Sequence, residues 1–285
     1  MRNKRRDADR IKNLDGLHAV MPHLMPKRTE SEVSMNETFD ITELMAYLEK
    51  YNKENGTNIK LFHAICYAFA RTIYHRPKLN IFISGWSFYQ RKDIVLSFIV
   101  KRQLNDTAEE SLMFMKVKPE MTINDVSRKI LGEVDTIRKE HGNDMGDKLD
   151  FVGKLPRPVI AGIFRTVRTL EFFGINPKAL TDGDTNYSTL LLSNLGSIGA
   201  NACYHHLNNY GTNSIMSTIG TMRDENRLKL DGTVETRKVV DIMTTVDERI
   251  ADGFYFAKSL RITKYLLEHP EHLFEQIKDE VPVQL

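Results

Sequence analysis

Leu190-Leu191-Leu192-Ser193-Asn194-Leu195-Gly196 reads as a short apolar strand that runs straight into a glycine turn. A hydroxyl and a carboxamide are delivered at the strand's end, a good place to hold hydrogen-bond donors, although a plain Ser-Asn turn has the same sequence. Outward from it, residues 214–219 form a second apolar run and 236–246 a long third one, joined through a hairpin around Asp231-Gly232. Upstream, 80–84, 93–101 and 112–117 are rich in Ile, Val, Leu and Phe and read as neighbouring antiparallel strands.

Helical periods separate these runs. Asp40 opens one, with Glu43 three residues on to complete a capping box and Ile41, Leu44, Met45, Leu48 and Tyr51 on a single face up to Gly56. Residues 61–74 are apolar nearly all round and stop before Pro77, so His63 and Cys66 there read as core. Thr122 and Asp125 open an amphipathic helix that closes at His141-Gly142, and a last helix runs over 254–268. The stretch 155–175 is apolar but interrupted by Arg157, Arg165 and Arg168. A helix packed on the body with its arginines outward accounts for it better than one lying in a membrane interface. Helices alternating with strands that pair as hairpins imply an α+β fold, a mixed sheet with helices packed on one side. Residues 1–38 show no sustained period and read as an N-terminal arm, with one domain over 39–285.

Composition narrows the function classes. The 285 residues carry 40 Lys+Arg against 38 Asp+Glu, spread evenly, which argues against nucleic-acid binding by bulk charge. Two cysteines, Cys66 and Cys203, suggest neither a disulfide framework nor a zinc site. No signal-length or membrane-length apolar run is present, so the expectation is a cytoplasmic protein without membrane contact. Gly196-Ser197-Ile198-Gly199 is half of a glycine-rich loop and no GK[ST] motif occurs, which removes dinucleotide and nucleotide-hydrolase readings. No metal-ligand spacing is found.

Two further clusters remain. Asp247-Glu248-Arg249-Ile250-Ala251-Asp252-Gly253 packs ionisable groups between an apolar strand and a helix, where charges must be paired or face a cleft. His205 and His206 are adjacent, and on a strand they would face opposite sides, so one of them would be able to enter a cleft.

Ser193-Asn194-Leu195-Gly196, then Asp247 to Gly253, then a helix ending Leu266-Leu267-Glu268-His269-Pro270 together resemble the catalytic domain of 2-oxoacid dehydrogenase dihydrolipoyl acyltransferases, of the chloramphenicol acetyltransferase superfamily. Asp40-Ile41-Thr42-Glu43-Leu44 and Pro77-Lys78-Leu79-Asn80 extend the resemblance upstream, so that it covers about residues 28–274. It implies a chloramphenicol acetyltransferase-like homotrimer with active sites between subunits, and acyl transfer from a coenzyme A thioester. It also implies Ser193 as oxyanion donor, Asn194 and Gly196 at the coenzyme A site, and Asp252 orienting its loop through an ion pair, with Arg28 a candidate partner.

This chain departs from the family at the catalytic histidine of the Asp-His-Arg-x-x-Asp-Gly motif, which is Glu248 here. A Glu ordinarily titrates near 4.3 and a His near 6.5, so burial would have to raise Glu248 by roughly two units to match. His205 or His206 would be able to replace the missing imidazole instead. The arm is too short for a lipoyl domain, so no lipoyl group is expected on this chain and the acceptor is a diffusible small molecule or a separate carrier. A non-catalytic coenzyme A or acyl binder, or a trimeric scaffold of the same fold, is the alternative.

Overall fold

A computed structural model describes residues 5–101, 110–139, 152–177 and 181–284. Six strands in the order β2-β10-β8-β7-β5-β6, with β9 added on β10, make a seven-stranded sheet. They are β2 (Glu32–Asp40), β5 (Ile94–Lys101), β6 (Glu110–Val117), β7 (Leu190–Asn194), β8 (Ile215–Ile219), β9 (Arg223–Leu228) and β10 (Val234–Asp247). The β5–β7 and β7–β8 pairs are parallel and the others antiparallel, so the sheet is mixed. β1 (Ala8–Arg10), β3 (Ile81–Ser84) and β4 (Ser87–Arg91) form a separate three-stranded antiparallel sheet.

Helices α2 (Thr42–Asn55), α3 (Leu61–His75), α4 (Ile123–Lys139) and α6 (Gly253–Glu268) cover the large sheet. α3 is central, against β5, α4 and α6, while α6 packs on β2 and α2. Residues 63–73 of α3 are all buried, as expected of a helix apolar around its whole circumference. Its fully buried Arg71 donates to the His272 and Asp279 carbonyls and to Glu275 at 2.7 Å, tying the C-terminal segment to the core. Leu44 and Leu48 bury the α2 stripe, Asp40 accepts from the Thr42 amide at 3.1 Å, and Gly56 ends the helix at φ 63°. Glu43 does not complete a capping box and instead faces Arg237 at 3.6 Å.

Several expectations need amending. β3 pairs with β4 rather than with β5, and β4 and β9 are strands beyond those expected. Within the expected arm, α1 (Gly16–Leu24) is a helix despite Pro22, and 32–38 belong to β2 inside the large sheet. α5 (Arg157–Phe172) exposes Arg157, Arg165 and Arg168 as expected, but buries only Val167 and Glu171. Among the described residues, no helix is long and apolar enough to cross a membrane.

Candidate active site

β7 is held on both sides by parallel neighbours and buries Leu190 and Leu192 completely. Its end emerges half-buried, and among the described residues neither the Ser193 hydroxyl nor the Asn194 carboxamide has an intramolecular hydrogen bond. Two donors are thus presented without partners at a rigid strand end. The turn behind them is fixed by close backbone contact: a Cβ on Gly196 would stand 2.4 Å from the Gly220 carbonyl oxygen, and one on Gly220 would stand 2.5 Å from the Ala202 nitrogen. Glycine is required at both positions because no side chain fits between the chains.

The second cluster forms where β10 ends. Asp247 is fully buried and takes a two-pronged contact from Arg249, Nε at 2.8 Å and Nη2 at 2.7 Å, plus the Ser31 hydroxyl at 3.0 Å. Arg249 also donates to the Met25 carbonyl at 2.7 Å. These bonds pin the turn, and the intervening Glu248 is half-buried with its amide on the Ser31 carbonyl at 2.9 Å. Among the described residues its carboxylate has no hydrogen bond or ion pair.

Among the described residues Asp252 forms no ion pair, with Arg28 or any other. It is exposed and caps α6, accepting from the Tyr255 amide at 2.7 Å, which satisfies one of the helix's orphan donors. Arg28 is instead buried and donates to the Asn208 carbonyl at 2.8 Å, the Ile83 carbonyl at 3.3 Å and the Gly211 carbonyl at 2.5 Å.

His205 and His206 lie in an irregular, exposed segment rather than on a strand. Each Nδ1 donates to a backbone carbonyl, His205 to that of His206 at 2.8 Å and His206 to that of Leu207 at 3.1 Å. A carbonyl can only accept, so each Nδ1 carries a proton, and in the neutral ring Nε2 is then the acceptor, the form a base requires. No hydrogen bond joins either ring to Ser193 or Glu248 among the described residues.

The strand register separates the two clusters. Ser193 stands opposite Thr218, which stands opposite Met243 on β10. Glu248 follows Met243 by five residues, roughly 16 Å along the strand, and β10 lies two strands from β7, about 10 Å across. Ser193 and Glu248 of one chain are therefore at opposite ends of the sheet. The 203–207 segment runs between these ends: Cys203 bonds Thr218 at 3.1 Å, while the Leu207 amide donates at 2.5 Å to Glu32, which pairs with Asp247. That bridging course is not legible in the sequence, which has no period there. Among the described residues no group of His, Cys, Asp and Glu is arranged to hold a metal ion.

The family model of 2-oxoacid dehydrogenases acyltransferase (catalytic domain) matches residues 175–275, the segment that holds both clusters. The chain is 23% identical over 251 residues to the lipoamide acyltransferase component of the branched-chain alpha-keto acid dehydrogenase complex of Bacillus subtilis (strain 168), a match covering 85% of this chain and 48% of that protein. The chain thus spans about half the length of this curated relative. A probable dihydrolipoamide acetyltransferase from Listeria monocytogenes 4b F2365 has a similar structure, with a TM-score of 0.59 at 18% identity over 92% of this chain and 95% of that one. A chloramphenicol acetyltransferase gives a TM-score of 0.55 at 11% identity, over 91% of this chain and 99% of that one. Residues 175–275 thus match the catalytic-domain model of the 2-oxoacid dehydrogenase acyltransferases, and the chain has the mixed-sheet fold seen in dihydrolipoamide acetyltransferase and chloramphenicol acetyltransferase structures.

Proposed function

We propose that this protein is a coenzyme A-dependent acyltransferase of the cytoplasm whose active site forms between copies of the chain, Glu248 coming from one and Ser193 from the next. The observation that carries this reading is the register: the two residues singled out by the family motif stand about 16 Å apart along the sheet, too far to act on one carbonyl within a chain. In a closed ring such as a trimer, each copy lends one end of its sheet to a neighbour.

In the proposed reaction, a base draws the proton from an acceptor thiol or hydroxyl, which attacks the thioester carbonyl of acyl-coenzyme A. The Ser193 hydroxyl donates to the tetrahedral oxyanion, and Asn194 and the Gly196 turn hold the coenzyme A side of the cleft. Collapse breaks the carbon–sulfur bond, and the coenzyme A thiolate takes the proton back from the base. Glu248 is the base by position, held at the apex of the turn that the Asp247–Arg249 pair fixes, and Asp252 sets the start of α6 behind it. His205 and His206 are the competing bases, because their free Nε2 atoms lie on the segment between the two ends. The acceptor is a small molecule or a separate carrier.

Glu248 in the place of histidine favours a second reading, a coenzyme A or acyl-group binder or trimeric scaffold without turnover. Calorimetric titration with coenzyme A and acetyl-coenzyme A, followed by chromatographic measurement of free coenzyme A released in the presence of dihydrolipoamide, separates the two. Binding with release that Ser193→Ala and Glu248→Gln each abolish supports the transferase. Full activity in Glu248→Gln and its loss in a His205→Ala, His206→Ala double variant assigns the base to the histidines. Binding without release of coenzyme A supports the second reading.

A further inference from the structure

The β3–β4 hairpin turns through Gly85 at φ 53° and Trp86 at φ 59°. A hairpin turn with both central residues left-handed suits Asn or Gly. A bulky residue there is an outlier, and such strain persists where something else requires the side chain. Trp86 is moreover 53% exposed, so burial of the indole does not explain it. Gly85 is needed because a Cβ would stand 2.4 Å from the Phe172 carbonyl oxygen, where the end of α5 presses on the turn. That contact, with the Ser84 hydroxyl donating to the Glu171 carbonyl at 3.3 Å, sets Phe172 edge-on to Trp86 with centroids 5.0 Å apart.

A cavity of about 200 Å³ is lined by Trp86, Phe172, Arg28, Arg168, Glu171 and Arg249 among others. Arg249 is neutralised by Asp247. Arg28 is only 6% exposed, its other N–H groups go to carbonyls, and its Nε has no hydrogen-bond partner. Glu171 is equally buried, its Oε1 is without a partner, and burial pushes its carboxyl up, favouring the neutral acid. Arg168, at the rim, forms no ion pair among the described residues. Arg28, Arg168 and Arg249 thus outnumber the Glu171 and Asp247 carboxylates around a cavity that Trp86 and Phe172 also line. The Arg28 Nε–H is a buried donor without an acceptor, and the surplus of positive charge suits an added anion.

We propose that this cavity binds a small organic anion, a flat apolar body lying against Trp86 and Phe172 with its single carboxylate or phosphate group on Arg28 and Arg168. The proposal rests on the cavity alone and does not depend on acyl transfer.

Trp86 is the chain's only tryptophan, so its emission reads this cavity directly. The full chain is titrated with benzoate, with phenyl phosphate to distinguish the two anionic groups, and with neutral benzamide. The expected result is a saturable change in Trp86 emission with one or both anions, absent with benzamide, and weakened about tenfold by Arg168→Gln, which removes a charge-assisted contact from an exposed position. Arg28→Lys keeps the charge but loses the fork and should weaken binding further; if circular dichroism shows that it does not fold, Arg168→Gln decides. No saturable change with either anion at millimolar concentration, or equal binding of benzamide, or binding unaffected by Arg168→Gln, overturns the proposal.

Discussion

Asp247 and Arg249 face each other across a single residue, with both carboxylate oxygens on the guanidinium at 2.7–2.8 Å and both side chains sealed from solvent. Their partners extend to Ser31 and to the Met25 carbonyl, so the pair joins the end of β10 to the segment before β2. Removing one member leaves the other charge buried and alone, which costs about 3–5 kcal/mol. Asp247→Leu and Arg249→Met should each lower the urea unfolding midpoint accordingly, and the double substitution combining them should cost less than the sum of the two. Additive losses would mean that the pair is not coupled.

His63 gives a pH signature. It is buried on α3, its Nδ1 is 3.3 Å from the Lys60 amide and 2.9 Å from the Ser127 hydroxyl, and burial pushes it down to about 4 from 6.5. The unfolded chain therefore binds this proton more readily than the folded one between about 6.5 and 4. Stability from the neutral ring is fully present above pH 6.5 and is lost as pH falls through that window, about 3 kcal/mol in all. Chemical denaturation at pH 7, 5.5 and 4.5 should show this fall, and His63→Leu should flatten it. An equal pH slope in the variant would remove His63 as its source.

Gly196 and Gly132 make a contrast. A Cβ at Gly196 meets the Gly220 carbonyl at 2.4 Å, whereas at Gly132, inside α4, nothing lies within 4 Å. Gly196→Ala should destabilise by about 1–3 kcal/mol through overpacking and displace the Ser193–Asn194 end. Gly132→Ala should stabilise by about 0.5–1 kcal/mol, as the better helix former. Thermal melts of the two variants moving in the same direction would contradict the packing described for the turn.

The legible part of this fold is the part whose side chains face apolar neighbours. α3, α6, β5, β7 and β8 declare themselves because their burial follows the period of the element. β9, Arg-Asp-Glu-Asn-Arg-Leu, is almost wholly polar; it is a strand because β10 extends past the core and offers it a hydrogen-bonding edge, which its own sequence does not record. α1 was hidden by Pro22, which removes a helical hydrogen bond, and by Leu17, Val20 and Leu24, apolar residues that stay exposed on it. Partner choice at the site was equally illegible. Asp252 and Arg28 have the right charges for a pair, yet one is satisfied by a helix end and the other by three carbonyls, alternatives that charge alone cannot rank.

The central claim is that Ser193 and Glu248 act across two copies of the chain. Ser193→Ala and Glu248→Gln chains, each inactive alone, are co-expressed with different tags and the mixed oligomers isolated by both. In every mixed trimer one of the three sites receives an intact serine from one copy and an intact glutamate from its neighbour, about one third of the sites. Release of free coenzyme A from acetyl-coenzyme A should then return to about that fraction of the wild-type rate. Mixed oligomers as inactive as either parent, with the wild type active under the same conditions, would contradict the account.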